Sequence, residues 1–147
     1  MSALTIDAIT DADIEPVVAL WQRCGLTRPW NDPHADIALA RRRDNSTVLL
    51  GRDNGAIVAT IIVGHDGHRG WVYYVAVDPD CQKRGYGRVI MAAAEDWLRA
   101  AGIPKLQLLV RRENAQANAF YQSLGYEEST SVMFQKWLDG RATTSSN

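Results

Sequence analysis

Apolar residues recur along this chain at two spacings, every second position and every third or fourth, and the changes between them mark its elements. From Leu4 to Ile9 apolar and polar residues alternate, which predicts a first strand, and Thr10 or Asp11 then stands where a helix cap is needed. Ile14, Val17, Val18, Trp21 and Cys24 share one helical face, with Pro16 in the first turn and Gly25 as the stop. Pro33 opens a second helix through about Arg43, with Ile37, Ala38 and Ala40 inward. Thr47 to Arg52 and Ala56 to Gly64 are β-branched runs around Asp53-Asn54-Gly55, the pattern of a hairpin. Trp71 to Val77 has no charge and reads as a central strand buried on both faces. Val89, Ile90, Ala93, Ala94, Trp97, Leu98 and Ala101 return to helical spacing, closed by Gly102 and Pro104.

Lys105 to Val110 predicts a fifth strand, parallel to the central one because a helical crossover joins them. A helix follows from Asn114, then two last strands, Tyr126 to Glu128 and Val132 to Leu138. The class is therefore α/β (α+β), with residues 1–139 as one domain and 140–147 as a polar, disordered tail.

Size and charge narrow the picture. A chain of 147 residues is one ordinary domain. Sixteen basic and 17 acidic residues give a net charge of −1, which leaves no global field to recruit nucleic acid or membrane. Arg41-Arg42-Arg43 is the only basic run and reads as charge placed at a helix C-terminus. The first residues lack the basic and apolar segments of a signal peptide, so the expected location is the cytoplasm. Cys24 and Cys81 have no zinc spacing and are expected as free thiols, and no metal is expected elsewhere.

Candidate chemistry concentrates between the central strand and the helix after it. A helix start carries main-chain donors without internal acceptors and the positive end of the macrodipole. Gly85 and Gly87 let an anion approach that main chain, and Gln82, Lys83, Arg84 and Arg88 add side-chain donors around Tyr86. The expected ligand is a pyrophosphate. The loop lacks the Gly-Lys-Ser/Thr ending of a nucleotide triphosphate loop, and Ile90 stands where a dinucleotide fingerprint needs its third glycine.

The spacing Gln82-x-x-Gly85-x-Gly87 after a buried strand resembles the coenzyme A loop of the GNAT superfamily of N-acetyltransferases. Asn114 to Tyr126, an Asn opening a helix with a Phe120-Tyr121 pair and ending in Leu124-Gly125-Tyr126, resembles that family's other signature. Leu26 to Pro33 and Gly64 to Gly70 further resemble a small bacterial member, so the likeness runs to about Leu138. The resemblance implies a mixed, mostly antiparallel central sheet of six to seven strands with flanking helices, strands four and five parallel and splayed. It implies acetyl-coenzyme A as co-substrate, its pantetheine arm beside Val75, Ala76 and Val77, and an amine acceptor that is a small molecule or a protein.

The same resemblance makes Tyr121 the acid that protonates the departing thiolate, although Phe120, Tyr121 and Leu124 also form a helix face that needs burying. Phe120 and Asn114 are implied at the cofactor, while Asn114 equally suits a helix cap. The base that deprotonates the amine is left among Asp32, His65, Asp66, His68 and Tyr73, and Trp30, Asp32, His65, His68 and Tyr73 are candidate acceptor contacts. A non-catalytic acyl-coenzyme A sensor is the alternative reading. Neither nucleic acid nor membrane is expected as a partner, and the assembly expected is a monomer or homodimer.

Overall fold

The computed structural model describes residues 4–142, and among these the chain divides after Leu109 into two compact units. The first carries a five-stranded sheet in sequential order: β1 (Thr5–Ala8), β2 (Ser46–Asp53), β3 (Ala56–His65), β4 (Gly70–Val77) and β5 (Leu106–Gln107). The first three pairings are antiparallel and β4 with β5 is parallel. Helices α1 (Ile14–Arg23), α2 (Pro33–Ala40) and α3 (Tyr86–Ala100) flank it.

Local signals account for most of these boundaries. Asn54 and Gly55, at φ 51° and 86°, make the two-residue hairpin turn whose left-handed backbone those residue types tolerate. Asp32 caps α2 by accepting from the main-chain N–H groups of His34 (3.0 Å) and Ala35 (3.2 Å), with Pro33 at the first helical position. The α2 helix stops at Ala40, short of Arg43, and Ala38 is exposed while Ile37 and Ala40 are buried.

Ile9, Val17, Val18, Trp21, Ile37, Ala40, Val48, Leu50, Ile62 and Ala76 form one core that joins α1 and α2 to the sheet. Burying each large aliphatic or aromatic side chain there contributes roughly 1.5–3 kcal/mol. Ile61 and Val63 alternate with Ile62 and so face the other side of the sheet, where α3 buries Tyr86, Ile90, Met91, Ala94 and Leu98. Gly70 leaves room for α3 to lie close, because a Cβ there would run into both methyls of Leu98.

Three expectations are corrected. The central strand is not buried on both faces: Tyr73 is 49% exposed and only Gly70, Val72 and Ala76 are buried. The fifth strand is two residues long. The sheet has five strands among the described residues rather than six to seven.

In the second unit, α4 (Ala115–Ser123) is followed by residues 126–142 without strand structure, and none of residues 110–142 is buried. Alternation at 126–128 and 132–138 is not enough, because a strand also needs a partner for its N–H and C=O groups. Val132, Phe134 and Leu138 are exposed. Of the expected tail, residues 143–147 lie outside the described residues. Among the described residues no helix is long and apolar enough to cross a membrane.

One partly buried ion pair fixes the start of α1 to the sheet. The Asp13 carboxylate accepts from the Thr10 main-chain N–H and hydroxyl, each at 2.9 Å, and meets Arg52 Nη2 at 2.9 Å. Burial alone would raise its pKa, but the Thr10 N–H, Arg52 and the Thr10 hydroxyl outweigh it and hold the carboxyl below its ordinary value. A depressed carboxyl contributes stability above its unfolded pKa and loses it as pH falls through the folded one. Asp13→Asn should therefore lower stability at pH 7 by about 2 kcal/mol, with the gap shrinking from about pH 4 downward. Urea unfolding at pH 7 and pH 3 measures this; an equal gap at both would contradict it.

Candidate functional site

The end of β4 is held from three directions. The Val77 carbonyl accepts from Gln82 Nε2 at 3.2 Å and from the Cys24 thiol at 3.4 Å. Asp78 pairs with Arg23 Nη2 at 2.9 Å through one oxygen, and through the other it accepts from the Asp80 main-chain N–H at 2.9 Å, opening the short turn Pro79–Cys81. Burial, then Asp78, pushes the Cys24 thiol up, which keeps it protonated as a donor rather than reactive. Cys81 is also a free thiol.

The loop then delivers the start of α3. Lys83 and Gly85 both adopt left-handed backbone, φ 66° and 79°, and no side chain caps the helix. The first-turn N–H groups of Tyr86, Gly87 and Arg88 thus have no acceptor within the helix, and that turn carries no acid. A Cβ on Gly85 would meet nothing within 4 Å, so the glycine is required by its φ alone. With Lys83, Arg84 and Arg88 exposed around it, this donor set suits the oxygens of a pyrophosphate.

Two loop residues are committed elsewhere by their side chains. Tyr86 is buried and donates its phenol to Asp53 Oδ2 at 2.7 Å, so only its main chain is left for a ligand. Gln82 is engaged with Val77. Arg84 Nη1 also lies 3.9 Å from Asp53, which ties the loop to the β2–β3 hairpin. Asp53 carries no local motif, and sequence reading missed it.

β4 leaves one edge open. Only Gly70 and Trp71 pair with β5, so Val72 to Val77 have no strand partner on that side among the described residues. The Asp78 N–H donates to the Val58 carbonyl at 2.8 Å, and strand alternation therefore turns the Val77 N–H to the open edge. Ala76 pairs with Thr60 of β3 and turns its main chain away from the gap, a correction to its place among the expected cofactor contacts. Val75 and Val77 are half-buried beside it.

The expected acceptor residues come from the approach to α2, the β3–β4 turn and β4 itself. Trp30 and Asp32 lie just before α2, whose Asp36 accepts from the Tyr74 phenol at 2.7 Å. His65, Asp66 and His68 sit in the β3–β4 turn, at the Gly70 end of a strand that places Val77 about 20 Å away. That turn is also self-satisfied: the Gly67 N–H donates to His65 Nδ1 at 3.2 Å, and the Arg69 and His68 N–H groups donate to Asp66 and hold its carboxyl below the ordinary range. Both histidines and Asp66 therefore stand at the end of β4 opposite Val77. Tyr73 lies along β4 with its phenol raised by partial burial and by Asp66.

In the second unit, Asn114 Oδ1 accepts from the Ala117 N–H at 3.0 Å and caps α4, which leaves its Nδ2 donors for any ligand. Tyr121 is half-buried, edge-on to Phe120 (5.0 Å between centroids) and to Tyr126 (6.1 Å). Burial pushes its phenol up, so it carries its proton at neutral pH.

Known proteins share this fold and sequence. A family profile described as Acetyltransferase (GNAT) family matches residues 7–126. "Acetyltransferase YE1169" of Yersinia enterocolitica is 38% identical over 135 residues, 92% of this chain and 96% of that protein. An "Acetyltransferase" of Yersinia pestis strain Pestoides F is 40% identical over 126 residues, 86% of this chain and 89% of that one. The ribosomal-protein-S18-alanine N-acetyltransferase of Escherichia coli superposes with a TM-score of 0.73 at 28% identity, over 86% of this chain and 79% of its own. AAC(6')-Iy, solved with a bisubstrate analog of coenzyme A, gives 0.80 at 18% identity over 92% and 99%, a likeness of fold. This chain belongs to the GNAT family of acetyltransferases.

Proposed function

We propose that the protein moves the acetyl group of acetyl-coenzyme A to a primary amine by direct attack, with both substrates bound together. The observation that carries this reading is the uncapped, acid-free start of α3, which adjoins a β4 strand whose edge is open from Val72 to Val77. The first suits the pyrophosphate, and the second offers main-chain groups to an arm that itself contains amides. The Val77 N–H on that edge is the proposed donor to the thioester oxygen.

Two proton problems must be solved. A lysine-like amine with pKa about 10.4 costs about 4.6 kcal/mol to deprotonate at pH 7, which the site must offset by desolvation or a base. The departing thiolate, with pKa about 8.5, then needs a proton, and Tyr121 is the proposed donor. The transfer is uphill because an ordinary phenol, with pKa about 10, is a weaker acid than the thiol, and burial raises Tyr121 further; a directed hydrogen bond to the sulfur offsets the difference.

Trp30, Asp32 and Tyr73 are the proposed acceptor contacts. The acceptor class, a small amine or a protein amine, follows relatives whose names include a ribosomal-protein-S18-alanine N-acetyltransferase and aminoglycoside acetyltransferases. Asp32 faces an acceptor only with the oxygen it does not use to cap α2, since Oδ1 takes both helix donors.

Tyr121→Phe should lower kcat by about a hundredfold or more while leaving KM for acetyl-coenzyme A nearly unchanged; unchanged kcat would remove its acid role. Gly85→Glu places a Cβ in left-handed backbone and a negative charge at the anion site, and should weaken coenzyme A binding at least about thirtyfold. Calorimetric titration of folded protein measures it, and an unaltered dissociation constant would contradict the assignment of the α3 start.

A further inference from the structure

Among the described strand residues, Tyr74 alone combines a side chain with left-handed backbone, at φ 50°. For a bulky residue that conformation is disfavoured and persists only where surrounding structure enforces it. It sits in a bulge. Thr60 and Ile62, two apart on β3, pair with Ala76 and Tyr73, three apart on β4, so β4 carries one extra residue here.

Side chains from three elements hold that residue. The Tyr74 ring stacks on Trp21 of α1, with centroids 3.8 Å apart and planes 14° from parallel. Its phenol donates to Asp36 Oδ2 of α2 at 2.7 Å. Its carbonyl accepts from Thr60 Oγ1 of β3 at 3.0 Å, and that same oxygen accepts from Trp21 Nε1 at 2.8 Å. Thr60 and Trp21 are fully buried, so neither donor finds water as a substitute. Burial, then the Asp36 carboxylate, pushes the Tyr74 phenol well above its ordinary value and keeps it a donor.

Without the extra residue, alternation would continue unbroken from Val72 and the main chain of 75–77 would present its other groups to the open edge. We propose that Thr60, with Trp21 and Asp36, is a positioning residue: it acts through Tyr74 to fix the bulge that aims the main-chain groups of Val75 and Val77 at the pantetheine arm. This rests on the acetyl-coenzyme A reading above. Thr60 touches no substrate. Its hydroxyl holds one strained carbonyl in the orientation that leaves the Val77 N–H at the open edge.

The device concerns the arm and not the pyrophosphate, and this separates it from a general structural role. Thr60→Val keeps the shape of the side chain and removes the hydroxyl. Calorimetry should then show coenzyme A bound about tenfold more weakly, while 3′-phosphoadenosine 5′-diphosphate, which keeps the pyrophosphate and lacks the arm, binds within twofold of the parent. Thr60→Ser, which restores the hydroxyl, should restore coenzyme A binding. Tyr74→Phe removes only the phenol bond to Asp36; it should shift coenzyme A alone, about threefold, and serves if Thr60→Val does not fold. Equal weakening of both ligands, or no change in either while the parent binds both, overturns the proposal and leaves the acetyltransferase reading standing. A parent protein that binds neither ligand overturns both.

Discussion

A strand with one edge paired and the other open is an unstable compromise in a sheet, because unpaired main-chain groups invite any strand that can reach them. β4 is built around that constraint. Its β3 edge is paired nearly throughout, while on its other edge β5 contributes two residues and then ends. The groups around Val77 fix how the end of that second edge is turned. The Tyr74 bulge sets the orientation, and Gln82, Cys24 and Arg23 hold the last residues in place from the loop and from α1.

Electrostatics around the loop follow the same logic. A helix start attracts an anion only if no nearby carboxylate is already using its field. Two acids that the fold brings to this region, Asp53 and Asp78, are each occupied: Asp53 by the Tyr86 phenol and Arg84, Asp78 by Arg23 and the Asp80 N–H. Holding Asp78 in this way keeps its carboxyl below the ordinary range, with the Asp80 N–H the largest favourable cause. Anchoring and charge placement are thus done by the same side chains.

Features decided by short stretches of chain are legible in the amino-acid sequence. Asn54-Gly55 gives its hairpin, Gly85 its helix start, and Gly102 with Pro104 the end of α3, because each depends on backbone preferences of the residues themselves. The parallel β4–β5 pairing follows from the crossover helix between them. What escapes depends on partners far along the chain. The Tyr73-Tyr74 doublet hides its bulge inside an uninterrupted apolar run, and Thr60 looks like one more β-branched strand residue until Trp21, 39 positions away, donates to it. Strands expected at 126–128 and 132–138 fail for the same reason, since alternation describes a backbone and names no neighbour for it. His65 and His68 draw notice by residue type, and strand geometry places them at the end of β4 opposite Val77.

Amide hydrogen exchange with and without coenzyme A tests the account at its centre. At saturating ligand, the N–H groups of Val77, Tyr86, Gly87 and Arg88 should slow together, since two separate stretches of main chain are held to grip one molecule. Protection elsewhere in the chain with these four unchanged would contradict it.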